Sequence, residues 1–338
     1  MENFKVDMKN NMPKKSDIFD RYNAPILSDN RNWRKDIPDY DNYFDSVAQE
    51  LLGLPREDGV VTDSKIVERA SCIVCGEKNY KQVFGKYGFL YVQCTNCTHV
   101  YVQNRLKDEK ILEDYSGGNT LEKITHKIEK TDKLQEYAFN LYNKYLSLFS
   151  DLGLSKGNLI DIGCGSGNFV DFCVKNSSFN VFANEINEDM HDGLREIVGD
   201  NLISGPIEEQ DFEGRGFDIV TLWGVLEHLI DPVSVLKKAK SITNENGYIL
   251  ALLPNIKSRA IKLLGARTPT LNPKVHIQMF TKKSFKLMCD DLGIKIIKMF
   301  GELPVIDLMY EYCKYDEELI KDIVASEETY YQLYLLKK

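Results

Sequence analysis

Between positions 158 and 256 the chain alternates short apolar runs with longer stretches of mixed polarity. The runs NLIDIG, FNVFANE, NLISG, FDIVTLWG and GYILALLP are each of strand length, and helix-length text separates them. That order predicts βαβ units and a parallel sheet. IKIIKMFG (294–301) and TYYQLYLLKK (329–338) add two more strands, with a helix expected near 281–293. Upstream, residues 132–153 place Leu134, Tyr137, Ala138, Leu141, Tyr142, Tyr145 and Leu148 at three- and four-residue intervals. The spacing predicts an amphipathic helix with Gly153 as its stop. Residues 1–70 are polar and weakly periodic. One short helix is expected over 44–54, with Phe44, Val47, Leu51 and Leu54 near one face, in an arm laid on the rest of the chain or partly disordered.

The length, 338 residues, argues for about two domains, and 43% apolar with 28% charged residues is the composition of an ordinary folded protein. No apolar run approaches the ~18 residues of a membrane helix, and the first residues lack a secretory apolar core, so a cytoplasmic location without membrane contact is expected. The formal net charge of -8 argues against a nucleic-acid partner, which calls for concentrated Lys and Arg. The oligomeric state is not readable.

Four of the eight cysteines form two close pairs, Cys72/Cys75 and Cys94/Cys97, 18 residues apart. Two C-x-x-C turns at that separation fit a four-cysteine zinc ribbon, and Gly76 follows the first pair where a tight turn is useful. Four thiolates fill a tetrahedral Zn2+, so the site should be structural. Cys164, Cys173, Cys289 and Cys313 read as core or surface residues.

LIDIGCGSGNF (159–169) is a strand running into Gly163, Gly165 and Gly167, with a helix starting near Asn168. Glycines there let backbone N–H groups approach a ligand closely. The spacing is G-x-G-x-G, so the dinucleotide pattern G-x-G-x-x-G fails at Asn168. Asp161 beside the loop suits an ammonium group. Glu185 ends the next strand, 22 residues after Gly163, where a carboxylate can accept two ribose hydroxyls. Together they describe a ligand with an amino-acid end and an adenosine end.

In the order LIDIGCGSGNF, Glu185, IEE (207–209), FDIVTLWGVLEHLIDP (217–232) and GYILALLPN (247–255), these motifs resemble the class I S-adenosylmethionine-dependent methyltransferases over roughly 135–338. The resemblance implies a doubly wound, Rossmann-like α/β fold with a mostly parallel seven-stranded sheet, the last strand inserted antiparallel. It assigns the methionine amino group to Asp161, its backbone cradle to Gly163, Cys164, Gly165, Gly167 and Asn168, the ribose to Glu185 with Ile186 beside it, the adenine to Ile207 and Glu208, and the sulfonium border to Leu222 and Trp223. The four-cysteine stretch is similar to the zinc segment that precedes some sugar and secondary-metabolite methyltransferases and helps cover their substrate site. The expected organisation is an arm (1–70), a zinc ribbon (71–104), a helical connector (105–153) and the cofactor-binding domain (154–338), with 255–275 as a candidate lid.

VLEHL follows the fourth strand, whose C-terminal end faces the ligand crevice in this architecture. Glu227 and His228 are therefore candidate acceptor-side residues, His228 as a base, since histidine titrates near neutrality. The sugar C-methyltransferases similar to this chain carry a matching pair in their substrate site. His276 completes the catalytic candidates, with a capping role as the alternative. Glu227, His228 and His276 also resemble part of the E-x-x-E-H metal set of some O-methyltransferases, but Gly224 stands at the first acid, which argues against a catalytic ion. Tyr115, Tyr137, Tyr142, Tyr145, Tyr310 and Tyr312 are wall or core aromatics. The reading is transfer to a small polar acceptor such as a sugar or nucleotide sugar, on oxygen or carbon. The alternatives are an RNA or protein methyltransferase docking through the ribbon, and a fold kept only for binding.

Overall fold

The computed structural model describes residues 15–26, 38–115, 132–303 and 316–338. After the helices Lys15–Asp20 and Pro38–Leu52, its N-terminal half forms a hairpin of β1 (Arg56–Glu57) and β2 (Val60–Val61) and continues through β3 (Ile66–Glu68), β4 (Tyr80–Lys86), β5 (Phe89–Cys94), β6 (Val100–Val102) and β7 (Asn104–Leu106), which returns antiparallel to β3. Tyr87 and Gly88, both at positive φ, turn β4 into β5. Positive φ at both central residues matches the right-handed twist of the flanking strands.

The second half carries β8 (Lys156–Ile162), β9 (Ser178–Glu185), β10 (Leu202–Ser204), β11 (Phe217–Trp223), β12 (Thr243–Pro254), β13 (Gln278–Met279), β14 (Lys295–Glu302) and β15 (Tyr331–Lys337). Seven of these form one sheet in the order β10-β9-β8-β11-β12-β15-β14. The first five pair in parallel, and β15 is antiparallel to both neighbours, as expected of the terminal strand. Chain order reverses between β8 and β11, which places a ligand crevice beyond their C-terminal ends.

The apolar run of β12 shows why the strands are so hydrophobic. Ile249, Ala251 and Leu253 enter one buried cluster, and Tyr248, Leu250 and Leu252 enter another on the opposite face. A strand covered on both sides has no solvent face, so the run is continuous rather than alternating. One face is covered by the helix Asp132–Asp151, predicted from its spacing, with Tyr145, Leu148 and Phe149 fully buried. The other is covered by helices including Lys282–Asp291, whose start is a reciprocal Thr281–Ser284 capping box.

The four-cysteine segment is not a self-contained unit in front of this domain. Its sheet runs β13-β6-β5-β4, so its edge strand comes from the chain after β12. Cys72, Cys94, Cys97 and Tyr101 also share one buried cluster with Ile160, Leu222, Leu226 and Phe280. Two residues of strand carry too little pattern to read from sequence. The helix expected over 44–54 is Pro38–Leu52, with Val47 and Leu51 buried. Among the described residues, no helix is long and apolar enough to cross a membrane.

Candidate active site

The glycine loop follows from backbone geometry. Gly163, Gly165 and Gly167 all have positive φ, at 65°, 56° and 81°. Every second residue turns left-handed, which only glycine does cheaply, and this requires G-x-G-x-G. Gly167 is also the N-cap of the helix Asn168–Asn176, and a Cβ on it would lie 2.6 Å from Leu194 Cδ2.

Asp161, one residue before the end of β8, is buried and accepts a hydrogen bond from Thr221 Oγ1 at 2.6 Å. Burial, reinforced by the neighbouring Glu185 charge, raises its carboxyl to about 8 against the pull of Thr221. A buried carboxyl in that state is stabilised as an anion by an incoming cation, and an ammonium group supplies one. Thr221 gave no signal in the sequence, because a threonine in a strand is an ordinary strand residue.

Glu185 ends β9, adjacent to β8. Its Oε2 accepts the Gly165 N–H at 2.7 Å and its Oε1 accepts the Asn187 N–H at 2.8 Å. The carboxylate thus pins the glycine loop, and each oxygen keeps a further lone pair for a ligand hydroxyl. His191, given no role from sequence, lies 3.0 Å through Nε2 from the Glu185 carbonyl. Cys164 is half-buried and its backbone N–H donates to the Asn184 carbonyl. Asn168, Ile186 and Glu208 are exposed, whereas Ile207 is buried.

Leu222 and Trp223 diverge. Leu222 packs in the cluster that holds the cysteines, and Trp223 in the opposite one, because consecutive strand residues face opposite ways. The Trp223 ring meets Phe169 at 5.0 Å, Tyr142 at 5.4 Å and Tyr145 at 6.0 Å, and its Nε1 is enclosed without a hydrogen-bond partner. Tyr137 and Tyr145 are buried. Tyr310, Tyr312 and Cys313, and the side chain of Tyr115, lie outside the described residues.

Beyond β11 the chain brings Glu227, His228 and His276 together. Their ligand-type atoms all lie within 4.8 Å of one another, and the two imidazole rings meet at 4.7 Å. Glu227 is buried with Oε2 lacking a partner, and burial raises its carboxyl to about 8. Gly224 backs onto it: a Cβ there would stand 3.2 Å from Glu227 Oε1. His276 Nδ1 lies 2.6 Å from the Thr270 carbonyl and so carries the proton, leaving Nε2 as an acceptor. His228 is bonded in turn to the Val275 backbone. Burial lowers both rings, His276 to about 4 and His228 well below its ordinary value, helped by Lys86 and by His276 respectively. Both imidazoles are therefore held neutral at pH 7. The set could equally hold a divalent ion by two imidazoles and a carboxylate.

The loop is anchored from behind. Gln278 Nε2 donates to the Leu229 carbonyl, and the Gln278 N–H donates to the Glu227 carbonyl. With the amide so oriented, Gln278 Oε1 accepts from His99 Nε2 at 2.9 Å. The segment expected as a lid is fastened: Thr268, Thr270 and Leu271 are buried, Lys86 donates to the Thr268 carbonyl, and Thr270 bonds Tyr330.

The four cysteines converge. Cys72 Sγ lies 3.6 Å from Cys97 Sγ, and Cys75 Sγ 3.5 Å from Cys94 Sγ. Sulfurs around tetrahedral zinc, each ~2.3 Å from the ion, sit about 3.8 Å apart, so the set fits Zn2+. Each pair is followed by a left-handed residue, Gly76 (φ 71°) and Thr98 (φ 66°). In each turn that residue's N–H donates to the first cysteine's carbonyl, Gly76 to Cys72 and Thr98 to Cys94.

Residues 134–299 match the model of a family described as a methyltransferase domain. This segment, just under half of the chain, is similar to methyltransferase domains, and it contains the glycine loop, Glu185 and the Glu227–His228–His276 group. Among curated proteins, the ubiquinone biosynthesis O-methyltransferase of Acinetobacter baylyi is 25% identical over 123 residues, covering 34% of this chain and 51% of that protein. Its counterpart from Vibrio parahaemolyticus is 28% identical over 121 residues, covering 34% and 52%. The chain spans about half the length of these curated relatives. Among solved structures, an S-adenosylmethionine-dependent methyltransferase from Archaeoglobus fulgidus is 22% identical with a TM-score of 0.47, covering 63% of this chain and 99% of that one.

Proposed function

We propose that the chain transfers a methyl group from S-adenosylmethionine to a small polar acceptor, a sugar or nucleotide sugar, at the crevice beyond β8 and β11. The observation that carries this reading is the neutral His228–His276 pair beside Glu227, at the end of the strand next to the one bearing Asp161. On the cofactor side, Asp161 binds the methionine ammonium, the glycine loop lines it, Glu185 takes the ribose, and Ile207 packs on the adenine. On the acceptor side, His228 takes a proton from the hydroxyl or activated C–H that becomes the nucleophile. His276 and Glu227 orient it and receive the charge. In-line displacement then moves the methyl from sulfur to the acceptor as the C–S bond breaks. Proton removal by a positioned base is worth about 10²–10⁴-fold in rate.

The segment 71–104 is read as the zinc-binding part, with Cys72, Cys75, Cys94 and Cys97 holding a structural ion. Zinc supplies cross-linking there and no open coordination position. The acidic net charge supports a small acceptor over nucleic acid.

The test is labelled S-adenosylmethionine with a panel of nucleotide sugars and cell metabolites, read by mass spectrometry. A labelled sugar is expected, and its fragmentation separates O- from C-methylation. Deuterium exchange at a substrate carbon without cofactor would mark the C-methylation route. Cofactor binding with no labelled small product would overturn the acceptor class. Transfer that persists after a chelator strips weakly held ions, with cysteine-bound zinc retained, assigns the Glu227 group to proton transfer rather than to an ion.

A further inference from the structure

One cluster of buried cationic and polar groups has no use in the site described above. Arg69 and Arg105 occupy one face of the β3–β7 ladder. Val67 pairs with Arg105, and the Arg69 N–H continues the ladder to the Gln103 carbonyl, so the two arginines are diagonal neighbours. The Arg69 guanidinium lies 5.7 Å over the Tyr101 ring. Arg69 Nε and Nη2, Arg105 Nε and the Tyr101 hydroxyl are all enclosed with no hydrogen-bond partner. Arg105 and Tyr101 are 8% and 1% exposed. Arg105 spends its other nitrogens on the Leu106 carbonyl and on Asp108, while Arg69 has no carboxylate partner among the described residues.

Enclosed donors without acceptors are costly, and buried guanidinium groups are ordinarily paired. The Asp108 carboxylate and, through space, the Cys72 thiolate offset the charge, but neither gives the orphan nitrogens an acceptor, and an anion entering there would. The cysteine sulfurs do not fill the role, since none lies within hydrogen-bond reach of the orphan nitrogens. Planar guanidinium forks match phosphoryl oxygens.

The location agrees with an acceptor-side subsite. Tyr101 pairs directly with Gln278 across β6 and β13, so their side chains share a face. Gln278 in turn is bonded to the Glu227 and Leu229 carbonyls on either side of His228. Two strand spacings put the Tyr101 backbone about 10 Å from that loop.

We propose that Arg69, Arg105 and the Tyr101 hydroxyl form a binding site for the diphosphate of a nucleotide-sugar acceptor. This rests on the methyl-acceptor reading above and narrows it to a phosphorylated substrate. The orphan donors become satisfied when the diphosphate enters, and the sugar end is held toward His228.

The test uses the full-length, zinc-loaded chain and calorimetric titration with inorganic pyrophosphate, inorganic phosphate and a nucleoside diphosphate at low and high salt. The wild-type chain is expected to bind pyrophosphate and the nucleoside diphosphate, weakening with salt. R69Q and R105Q are expected to weaken both at least tenfold, and Y101F about threefold, with zinc content and S-adenosylmethionine affinity unchanged. In turnover, R69Q should raise KM for a nucleotide sugar and leave KM for the cofactor alone. Should either glutamine variant fail to fold, R69K and a pyrophosphate-induced rise in wild-type Tm take its place. No pyrophosphate binding by a wild-type chain that binds S-adenosylmethionine overturns this site, whereas failure to bind S-adenosylmethionine overturns the methyltransferase reading instead. Phosphate binding as tight as pyrophosphate overturns the diphosphate assignment. Loss of zinc from R69Q with anion binding intact shows the guanidinium serving the thiolates, and also overturns it.

Discussion

The two sides of the crevice are built in different ways. On the proposed cofactor side, Asp161, the three glycines and Glu185 fall within 25 residues, and their spacing is set by local backbone needs: positive φ at alternate positions and a carboxylate pinning the Gly165 N–H. On the proposed acceptor side, Glu227 and His228 meet His276 from 48 positions away, and Gln278 hangs the loop on β6, which carries Tyr101 from the cysteine sheet. A side built from contiguous chain tolerates change elsewhere. A side assembled from distant segments depends on every one of them.

That contrast makes its largest prediction at the cysteines. Cys97→Ser should remove the bound zinc and collapse the acceptor side, because Cys97 is fully buried in the cluster shared with Leu226 and Phe280. Structural zinc binding is worth roughly 10 kcal/mol or more in small sites. Metal analysis and near-ultraviolet dichroism check it, and a folded, zinc-loaded variant would break the comparison.

His228→Ala should lower kcat about 10²–10⁴-fold. The dissociation constant of S-adenosylmethionine, followed by calorimetry, should hold within about threefold by the independence of separated sites. Loss of cofactor binding in this variant would mean the two sides are one unit. Asp161→Asn should act the other way round, weakening cofactor binding roughly tenfold to a hundredfold, the worth of a hydrogen bond to a charged group.

Gly167→Ala tests the local rule by itself. A left-handed φ of 81° and a Cβ 2.6 Å from Leu194 Cδ2 should cost roughly 2 kcal/mol, seen as a lower Tm. A neutral result would show that the loop does not need that conformation.

The smallest effect is a pH dependence. In the fold, Asp161 and Glu227 hold protons up to about pH 8, well above their ordinary values of 3.8 and 4.5. The folded state thus binds more protons than the unfolded one, and these groups withdraw stability as pH rises from about 4 through 8. His276, about 4 in the fold against 6.5 ordinarily, withdraws stability as pH falls from 6.5 through 4. Below pH 6.5 the two effects oppose; between 6.5 and 8, of these three groups, the carboxyls alone act. The ligand-free chain should therefore lose Tm over that interval, and bound S-adenosylmethionine should flatten the slope through Asp161. A slope unchanged in Asp161→Asn would remove Asp161 as its source.

Legibility followed the same division. All seven strands of the main sheet were readable, the central ones because a strand buried on both faces is continuously apolar, as Tyr248–Leu253 shows. The antiparallel last strand came from family resemblance, and the sheet confirms it. The cysteine pairs were readable as one cluster, since two C-x-x-C turns bring their sulfurs together wherever they lie. The independence of that segment was not: Gln278 and Met279 carry no strand pattern, yet they complete its sheet. Thr221, His99 and Gln278 gave no sign of their buttressing roles, because each acts through residues far off in the chain, and His191 gave none because its bond to the Glu185 carbonyl depends on the turn between them.

By itself the sequence determined the strand and helix order, the left-handed glycine loop with its two carboxylates, and the four-thiolate set. Each follows from local φ preference, side-chain periodicity or short ligand spacing. Tertiary structure decided the rest: the joining of β13 to the cysteine sheet, the meeting of His228 with His276, the divergence of Leu222 and Trp223, and the enclosure of Arg69 beside Arg105. Those depend on which distant surfaces lose water together. That is a property of the packed whole, since burial and pairing energies act between segments that local pattern cannot bring into register.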